Sequence, residues 1–232
     1  MSNLSFYVHI PYCVKRCGYC DFNTYTPAEL REGGTLETVS QGFVDSLIAE
    51  VTFASRTSTT TIPTIFFGGG TPSLMPAQEL GRVIELLKQR WEFTSDIEIT
   101  MECNPDTLTL QSLEEYRAIG INRISMGMQS ANQTVLQVLD RTHNPENVAK
   151  SVENARKAGF DNISLDLIYG TPGETLEQWE SSVKTALSYT VDHLSAYALI
   201  VEDGTKLSAK IKRGEINKPD DDLMARMYLS VD

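Results

Sequence analysis

Apolar positions recur along this chain in two rhythms. Short, β-rich runs occupy Leu4–Ile10, Thr64–Phe67, Ile97–Glu102, Arg123–Gln129, Ile163–Tyr169 and His193–Ile200, and each reads as a strand. Between them the spacing lengthens to the helical period. Phe43, Val44, Leu47, Ile48 and Val51 share one helix face, as do Leu80, Val83, Ile84, Leu87 and Trp91. Asn144 before Pro145 reads as an N-cap followed by proline at the first helical position, and Gly159 falls where a left-handed residue ends that helix. Thr109 and Gly120 bracket the segment around Leu113 and Tyr116 in the same way. Thr24–Thr38 and Ser55–Pro63 read as loops.

Strands alternating with helices predict an α/β fold with parallel strands and right-handed crossovers. An open doubly wound sheet and a curved, barrel-like sheet both satisfy that rule, and periodicity does not choose between them. Residues 1–215 read as one core. From Asp220 the positions Leu223, Met224, Met227, Tyr228 and Val231 begin an amphipathic helix. Its stripe needs burial, so 216–232 reads as the start of a helix leading to a further C-terminal domain that this chain lacks; docking on the last strand is the plainer alternative.

The unusual residues gather where such folds bind ligands, at the carboxyl ends of the strands. Tyr12, Cys13, Cys17 and Cys20 follow the first strand, and Gly68–Gly69–Gly70–Thr71–Pro72–Ser73 the second. Glu102–Cys103–Asn104–Pro105 ends the third and Gly127–Met128–Gln129–Ser130 the fourth. Asp166 lies in the fifth, ahead of Tyr169–Gly170–Thr171–Pro172–Gly173, and Tyr197 in the sixth.

Cys13-x3-Cys17-x2-Cys20 puts three thiols on one loop. Crowding of this kind suits metal ligation better than a disulfide framework, and thiolate-only ligation suits zinc or an iron–sulfur cluster. Three cysteines on a cubane leave one iron open; the competing reading is a zinc knuckle completed by His9. Cys103 is a fourth ligand or a small buried residue. The triple glycine allows close approach of a ligand or makes a tight turn. It lacks the lysine of a P-loop. Glu102 and Asp166 could bind an ammonium group or ribose hydroxyls, or cap a helix or form a buried salt bridge. Gln129 could equally satisfy backbone groups. His143 reads as a surface histidine ahead of a helix cap, and Met126 and Met128 as packing residues.

Composition narrows the function classes. With 41% hydrophobic and 22% charged residues among 232, the chain is an ordinary globular one. A formal charge of −11 argues against wrapping a nucleic-acid backbone. No apolar run approaches the roughly 18 residues of a transmembrane helix, and no secretory leader is visible. The default expectation is a cytoplasmic protein.

From the cysteine loop onward the chain resembles the radical S-adenosylmethionine superfamily. Phe6–Tyr7–Val8–His9–Ile10–Pro11–Tyr12–Cys13 and Cys20–Asp21–Phe22–Asn23 look like the opening of its HemW group, the coproporphyrinogen-oxidase-like heme chaperones. Phe66–Ser73, Glu102–Pro105, Asn122–Ser130, Ile163–Gly170 and His193–Leu199 continue the likeness in order. The resemblance implies a partial (β/α)6 TIM-like barrel of the radical SAM type. It implies a [4Fe–4S] cluster on Cys13, Cys17 and Cys20, with adenosylmethionine on the fourth iron and in contact with Tyr7, Gly69 and Glu102. Related oxidases hold a second adenosylmethionine, and the matching positions here are Tyr19, Gly70, Thr71, Gln129, Arg141 and Asp166. The implied partners are heme or another porphyrin, a heme-accepting protein, and a low-potential electron donor such as flavodoxin or ferredoxin. The implied activity is transfer of heme to an acceptor. The alternative is oxygen-independent coproporphyrinogen III oxidation, but those oxidases carry a further cysteine where this chain has Phe22.

Overall fold

The computed structural model describes residues 4–30, 36–55 and 61–231. Six strands form one parallel sheet: β1 Phe6–Ile10, β2 Thr61–Gly69, β3 Glu92–Cys103, β4 Arg123–Gln129, β5 Asn162–Tyr169 and β6 His193–Ala198. The helices are α1 Leu36–Ala54, α2 Ala77–Arg90, α3 Leu110–Ala118, α4 Gln133–Val138, α5 Pro145–Lys157, α6 Leu176–Ser188, α7 Lys206–Lys212 and α8 Asp221–Leu229. Strand order in space follows strand order in the chain. A doubly wound sheet reverses that order at a switch point. With no reversal and one hand of crossover, every helix lands on the same face and the sheet curls around the other. The fold is a partial (β/α) barrel.

Strand register shows how the two faces divide. Ile124 pairs with Ile163 and Met126 with Leu165. These residues, with Ile65, Phe67, Ile99, Met101 and Met128, are buried against helix residues such as Leu80, Leu87, Leu113 and Trp179. Each large apolar side chain buried there contributes about 1.5–3 kcal/mol. The alternate positions are polar: Glu102 pairs with Ser125, Ser125 with Ser164 and Ser164 with His193. Gly127, Asp166 and Ser195 form the next row. Parallel strands covered on both faces are usually apolar throughout. Here the core lies between sheet and helices, and the inner face is a polar wall.

Several boundaries differ from the sequence pattern. β2 and β3 begin earlier than Thr64 and Ile97, because Thr61 pairs with Glu92 and Ile62 with Phe93 beyond an irregularity at Pro63. Proline has no N–H for a ladder, and the polar stretch Thr94–Glu98 hides the extension. β1 starts at Phe6 and β6 stops at Ala198. α1 begins at Leu36, inside a stretch that reads as loop; residues 31–35 and 56–60 of the two expected loops lie outside the described residues. α4 and α7 are too short to announce themselves by periodicity. The caps agree: Asn144 accepts from Asn147 N, Thr109 forms a capping box with Ser112, and Gly120 and Gly159 have positive φ. Among the described residues no helix is long and apolar enough to cross a membrane.

α8 packs on α6 and the β5 end. Trp179 Nε1 donates to the Met227 carbonyl at 2.9 Å, and Met227 is fully buried. Leu223 and Met224 are half-buried, whereas Tyr228 stays exposed. The loop between β5 and α6 buries Glu174, whose Oε2 accepts from Thr171 N. Desolvation raises its pKa from 4.5 to about 7, against the backbone N–H groups of Thr171 and Gly170, which lower it. The folded state therefore binds more protons than the unfolded chain between those values. Stability from this group is present below about pH 4.5 and lost as pH rises toward 7. Glu174→Gln keeps an acceptor for Thr171 and removes the titration. The variant is expected to match the parent near pH 4.5 and to exceed its unfolding free energy at pH 8 by up to ~3 kcal/mol. Urea denaturation at both pH values checks this; a difference that does not change with pH would refute it.

Candidate functional site

The carboxyl ends of the strands surround a cavity of about 450 Å³. Its wall takes residues from every strand end after β1. From the β1 loop come Cys13, Cys17, Tyr19 and Cys20; from the β2 turn, Gly69, Gly70 and Thr71. Glu102 closes β3, Gln129 ends β4, and Arg141 follows α4. Asp166 projects from β5. Tyr7 lies at the edge of this wall, on the inner face of the sheet: its ring is exposed beside Phe66, burial and the nearby Glu102 carboxylate raise its phenol pKa, and its hydroxyl lies 3.1 Å from His9 Nδ1.

The cysteine loop is fixed by main-chain bonds from distant segments. Cys13 N donates to Tyr25 O, Gly18 N to Leu139 O, and Leu207 N to Gly18 O. Gly70 N and Thr71 N donate at 2.7 Å to the carbonyls of Ile10 and Tyr12, which ties the β2 turn beneath the loop. This settles what the triple glycine does within the fold. A Cβ on Gly70 would lie 2.5 Å from the Tyr12 carbonyl oxygen, and Gly69, at φ +109°, would strike the His9 ring. Both glycines also face the cavity, so the tight turn and the open wall are one feature.

The thiols have specific neighbours. Thr71 Oγ1 lies 3.6 Å from Cys13 Sγ, and Arg141 Nη1 donates to Cys17 Sγ at 3.3 Å. Burial pushes the Cys13 and Cys20 thiols up, and the neighbouring sulfurs add to it, although hydrogen bonds oppose the rise. Three thiolates this close need a cationic partner, and taking one up releases protons. Among the described residues no three His, Cys, Asp or Glu side chains are grouped as ligands of a single ion. His9 does not complete a zinc knuckle, since its Nδ1 meets Tyr7 and its Nε2 lies 2.9 Å from Asn23 O. Cys103 is buried behind β3 with its thiol on the Met101 carbonyl, and burial drives its pKa far up. The donor set fits a polynuclear iron–sulfur centre.

Two half-buried carboxylates line the same cavity as the thiols. Glu102 Oε2 accepts from Gly69 N at 3.0 Å, and Asp166 accepts from Ser125 Oγ at 3.1 Å through both oxygens. Desolvation raises both pKa values; the Asp166 charge adds to the rise at Glu102, whereas Ser125 and Ser195 hydrogen bonds oppose it at Asp166. Gln129 has a left-handed backbone, φ 63°, and its buried Oε1 has no hydrogen-bond partner among the described residues. A waiting acceptor and two desolvated carboxylates suit a ligand carrying positive charge and hydroxyl or amine donors. Tyr19 lies against Arg141, and burial raises its phenol pKa strongly.

Sequence reasoning missed the rest of the wall. Ser125 and Ile168 line the cavity, beside the expected Gly127. They share the strand face of Gln129 and Asp166 by the two-residue alternation, which was the available signal. Phe22, Tyr197 and Ile200 are exposed apolar residues at the rim. The buried state of His143 was also missed: it is fully enclosed, with Nε2 on the Met128 carbonyl at 2.9 Å, not a surface residue. Met126 and Met128 are fully buried packing residues.

Comparison with known proteins gives a consistent result. The model of the Radical SAM superfamily matches residues 7–186. The Heme chaperone HemW of Mycobacterium tuberculosis is 42% identical over 227 residues, covering 97% of this chain and 57% of that protein. The mitochondrial Radical S-adenosyl methionine domain-containing protein 1 of Mus musculus is 38% identical over 228 residues, covering 98% and 50%. The structure of Escherichia coli coproporphyrinogen III oxidase (HemN), described as a radical SAM enzyme, superimposes with a TM-score of 0.84 at 28% identity; the match covers 98% of this chain and 51% of that one. The chain thus spans little more than half the length of these relatives.

Gly70→Ala tests the coupling of turn and loop. Its methyl group would meet main chain, not a flexible side chain, so the neighbouring loop must move. The expected outcome is a loss of about 1–3 kcal/mol, read as a lowered midpoint in thermal or urea unfolding. An unchanged midpoint would show that the β2 turn is not clamped under Tyr12.

Proposed function

Because the chain belongs to the radical SAM superfamily, we propose that it is the core of a HemW-like protein: Cys13, Cys17 and Cys20 hold a [4Fe–4S] cluster, adenosylmethionine binds beside it, and the protein hands heme to an acceptor. The observation that carries the cofactor reading is the single cavity in which three thiols face two desolvated carboxylates and the unpartnered Gln129 Oε1. When bound, such a cluster supplies a low-potential electron to a sulfonium compound, while the protein supplies orientation and a dry site.

The chain's own residues divide that work. Cys13, Cys17 and Cys20 are the ligands. Glu102 accepts the ammonium end of a bound amino acid, with Gly69 N–H orienting its carboxylate. Asp166, aimed by Ser125, accepts hydroxyl donors. Gln129 Oε1 takes a further N–H or O–H. Gly70, Thr71, Tyr19 and Arg141 complete the wall around the ligand. Tyr7 stands on the same inner face near Glu102, where it meets the ligand at the edge of this wall and supports His9. Adenosylmethionine carries both the sulfonium charge and the amine and hydroxyl donors that Glu102, Asp166 and Gln129 can accept.

The heme-handling reading rests on the relatives named HemW and on Phe22, Tyr197 and Ile200, which give the cavity an apolar rim. A flat hydrophobic macrocycle suits such a rim. Likeness to the E. coli oxidase favours a second reading, oxidation of coproporphyrinogen III. Phe22, in place of the oxidases' additional cysteine, weighs against it.

Anaerobic reconstitution tests the proposal. The parent chain is expected to take up about four irons and four sulfides and to turn brown. Serine at positions 13, 17 and 20 together abolishes both. Reduction with adenosylmethionine present is expected to yield 5′-deoxyadenosine, and titration with hemin a saturable Soret band. Pale, sulfide-free material overturns the cluster; a loaded protein with no saturable heme band overturns the chaperone reading alone. Anaerobic decarboxylation of coproporphyrinogen III by the loaded chain would favour the oxidase.

A further inference from the structure

Behind Arg141, a buried titratable side chain has no part in the reading above. His143 precedes the Asn144 cap of α5 and is fully enclosed. Its Nε2 lies 2.9 Å from the Met128 carbonyl oxygen, and its Nδ1 lies 3.4 Å from Arg141 Nε. A carbonyl only accepts and a guanidinium only donates. One tautomer satisfies both: Nε2 carries the proton for Met128, and the Nδ1 lone pair receives Arg141. Burial and the adjacent guanidinium push the imidazole pKa down to about 4, so the lone pair is present throughout the neutral range.

The remaining Arg141 donors are as definite. Nη2 donates to the Gly127 carbonyl at 3.0 Å, and Nη1 to Cys17 Sγ at 3.3 Å. The guanidinium is planar, so holding two of its nitrogens fixes where the third points. The Gly127 carbonyl, and the Met128 carbonyl that holds His143, both come from the end of β4, where the ladder to β5 slips between Gly127 and Gln129. From these contacts we infer that His143 is a positioning residue: it aims the Arg141 guanidinium at the Cys17 sulfur and thereby sets the reduction potential of the cluster bound there. The inference rests on the cluster reading proposed above and adds to it a residue and a property.

The direction of the effect follows from charge. A cationic N–H donor at a ligand sulfur stabilises the more negative, reduced state of the centre and raises its potential. Without the His143 acceptor, the long Arg141 side chain keeps its charge but loses its aim.

The test is a midpoint potential, measured by EPR-monitored titration of anaerobically reconstituted protein without adenosylmethionine, together with iron content. His143→Leu and Arg141→Met are expected to load iron as the parent does. Both should shift the reduction equilibrium about tenfold toward the oxidised state, ~59 mV more negative for one electron. The double variant should shift no further than Arg141→Met. His143→Asn, which keeps an acceptor toward Arg141, should stay at the parent potential. A loaded His143→Leu protein at the parent potential overturns the inference, as does a shift that adds in full to that of Arg141→Met. Should His143→Leu take up no iron, the other two variants decide: Arg141→Met unmoved, or His143→Asn moved as far as Arg141→Met, overturns it. A parent chain that takes up no iron overturns the cluster reading and this inference with it, whereas a loaded parent with unmoved variants overturns this inference alone.

Discussion

A peptide loop can hold three thiols over an open cavity only if its own polar backbone is satisfied from outside. That requirement governs this molecule. Cys13 N, Gly18 N and the Gly18 carbonyl are met by Tyr25, Leu139 and Leu207, from three separate parts of the chain. The β2 turn bonds to Ile10 and Tyr12 from below, and there only glycine leaves room. Each contact is an ordinary hydrogen bond worth about 1 kcal/mol net. Their joint effect is geometric: the sulfurs stand at fixed positions before any ligand arrives, so that ordering the loop costs little at binding.

The same logic explains the polar inner face. A sheet that closes into a complete barrel fills its interior with branched apolar side chains. This sheet stops at six strands and lines its inner side with Glu102, Ser125, Ser164, Asp166, His193 and Ser195. Its stability comes from the outer face, where Ile, Leu, Met and Phe residues pack against helices. Relieving the inner wall of a packing role leaves its side chains free for ligand chemistry. Serine residues hold the carboxylates by hydrogen bonds without neutralising them, as Ser125 does for Asp166.

How far the sequence reached depended on the range of the signal. Periodicity located all six strands, and local cap chemistry at Thr109 and Asn144 fixed two helix starts. Placement of odd residues after successive strands located the cavity. Periodicity alone left open sheet and partial barrel undecided; the family resemblance implied the barrel, and the strand order bears it out. The β2–β3 extension at Thr61 and Glu92 was masked by polar residues, and α4 and α7 are each no more than two turns long. Cysteine spacing singled out the thiol loop because its three cysteines are sequence neighbours. His143 stayed hidden for the opposite reason: its partners are the carbonyl of Met128 and a guanidinium, and a main-chain acceptor leaves no trace in residue type.

Some of the contacts that shape the cysteine loop span most of the chain. Arg141 reaches back 124 positions to Cys17, and Leu207 donates to Gly18 from farther still. Synthesis runs the other way, and N-terminal segments emerge first. A nascent chain therefore carries its three thiols without the Arg141 guanidinium and without the clamp on the Gly18 carbonyl until those later segments have been made. The pocket comes into being late, when the α7 segment has been made and docked.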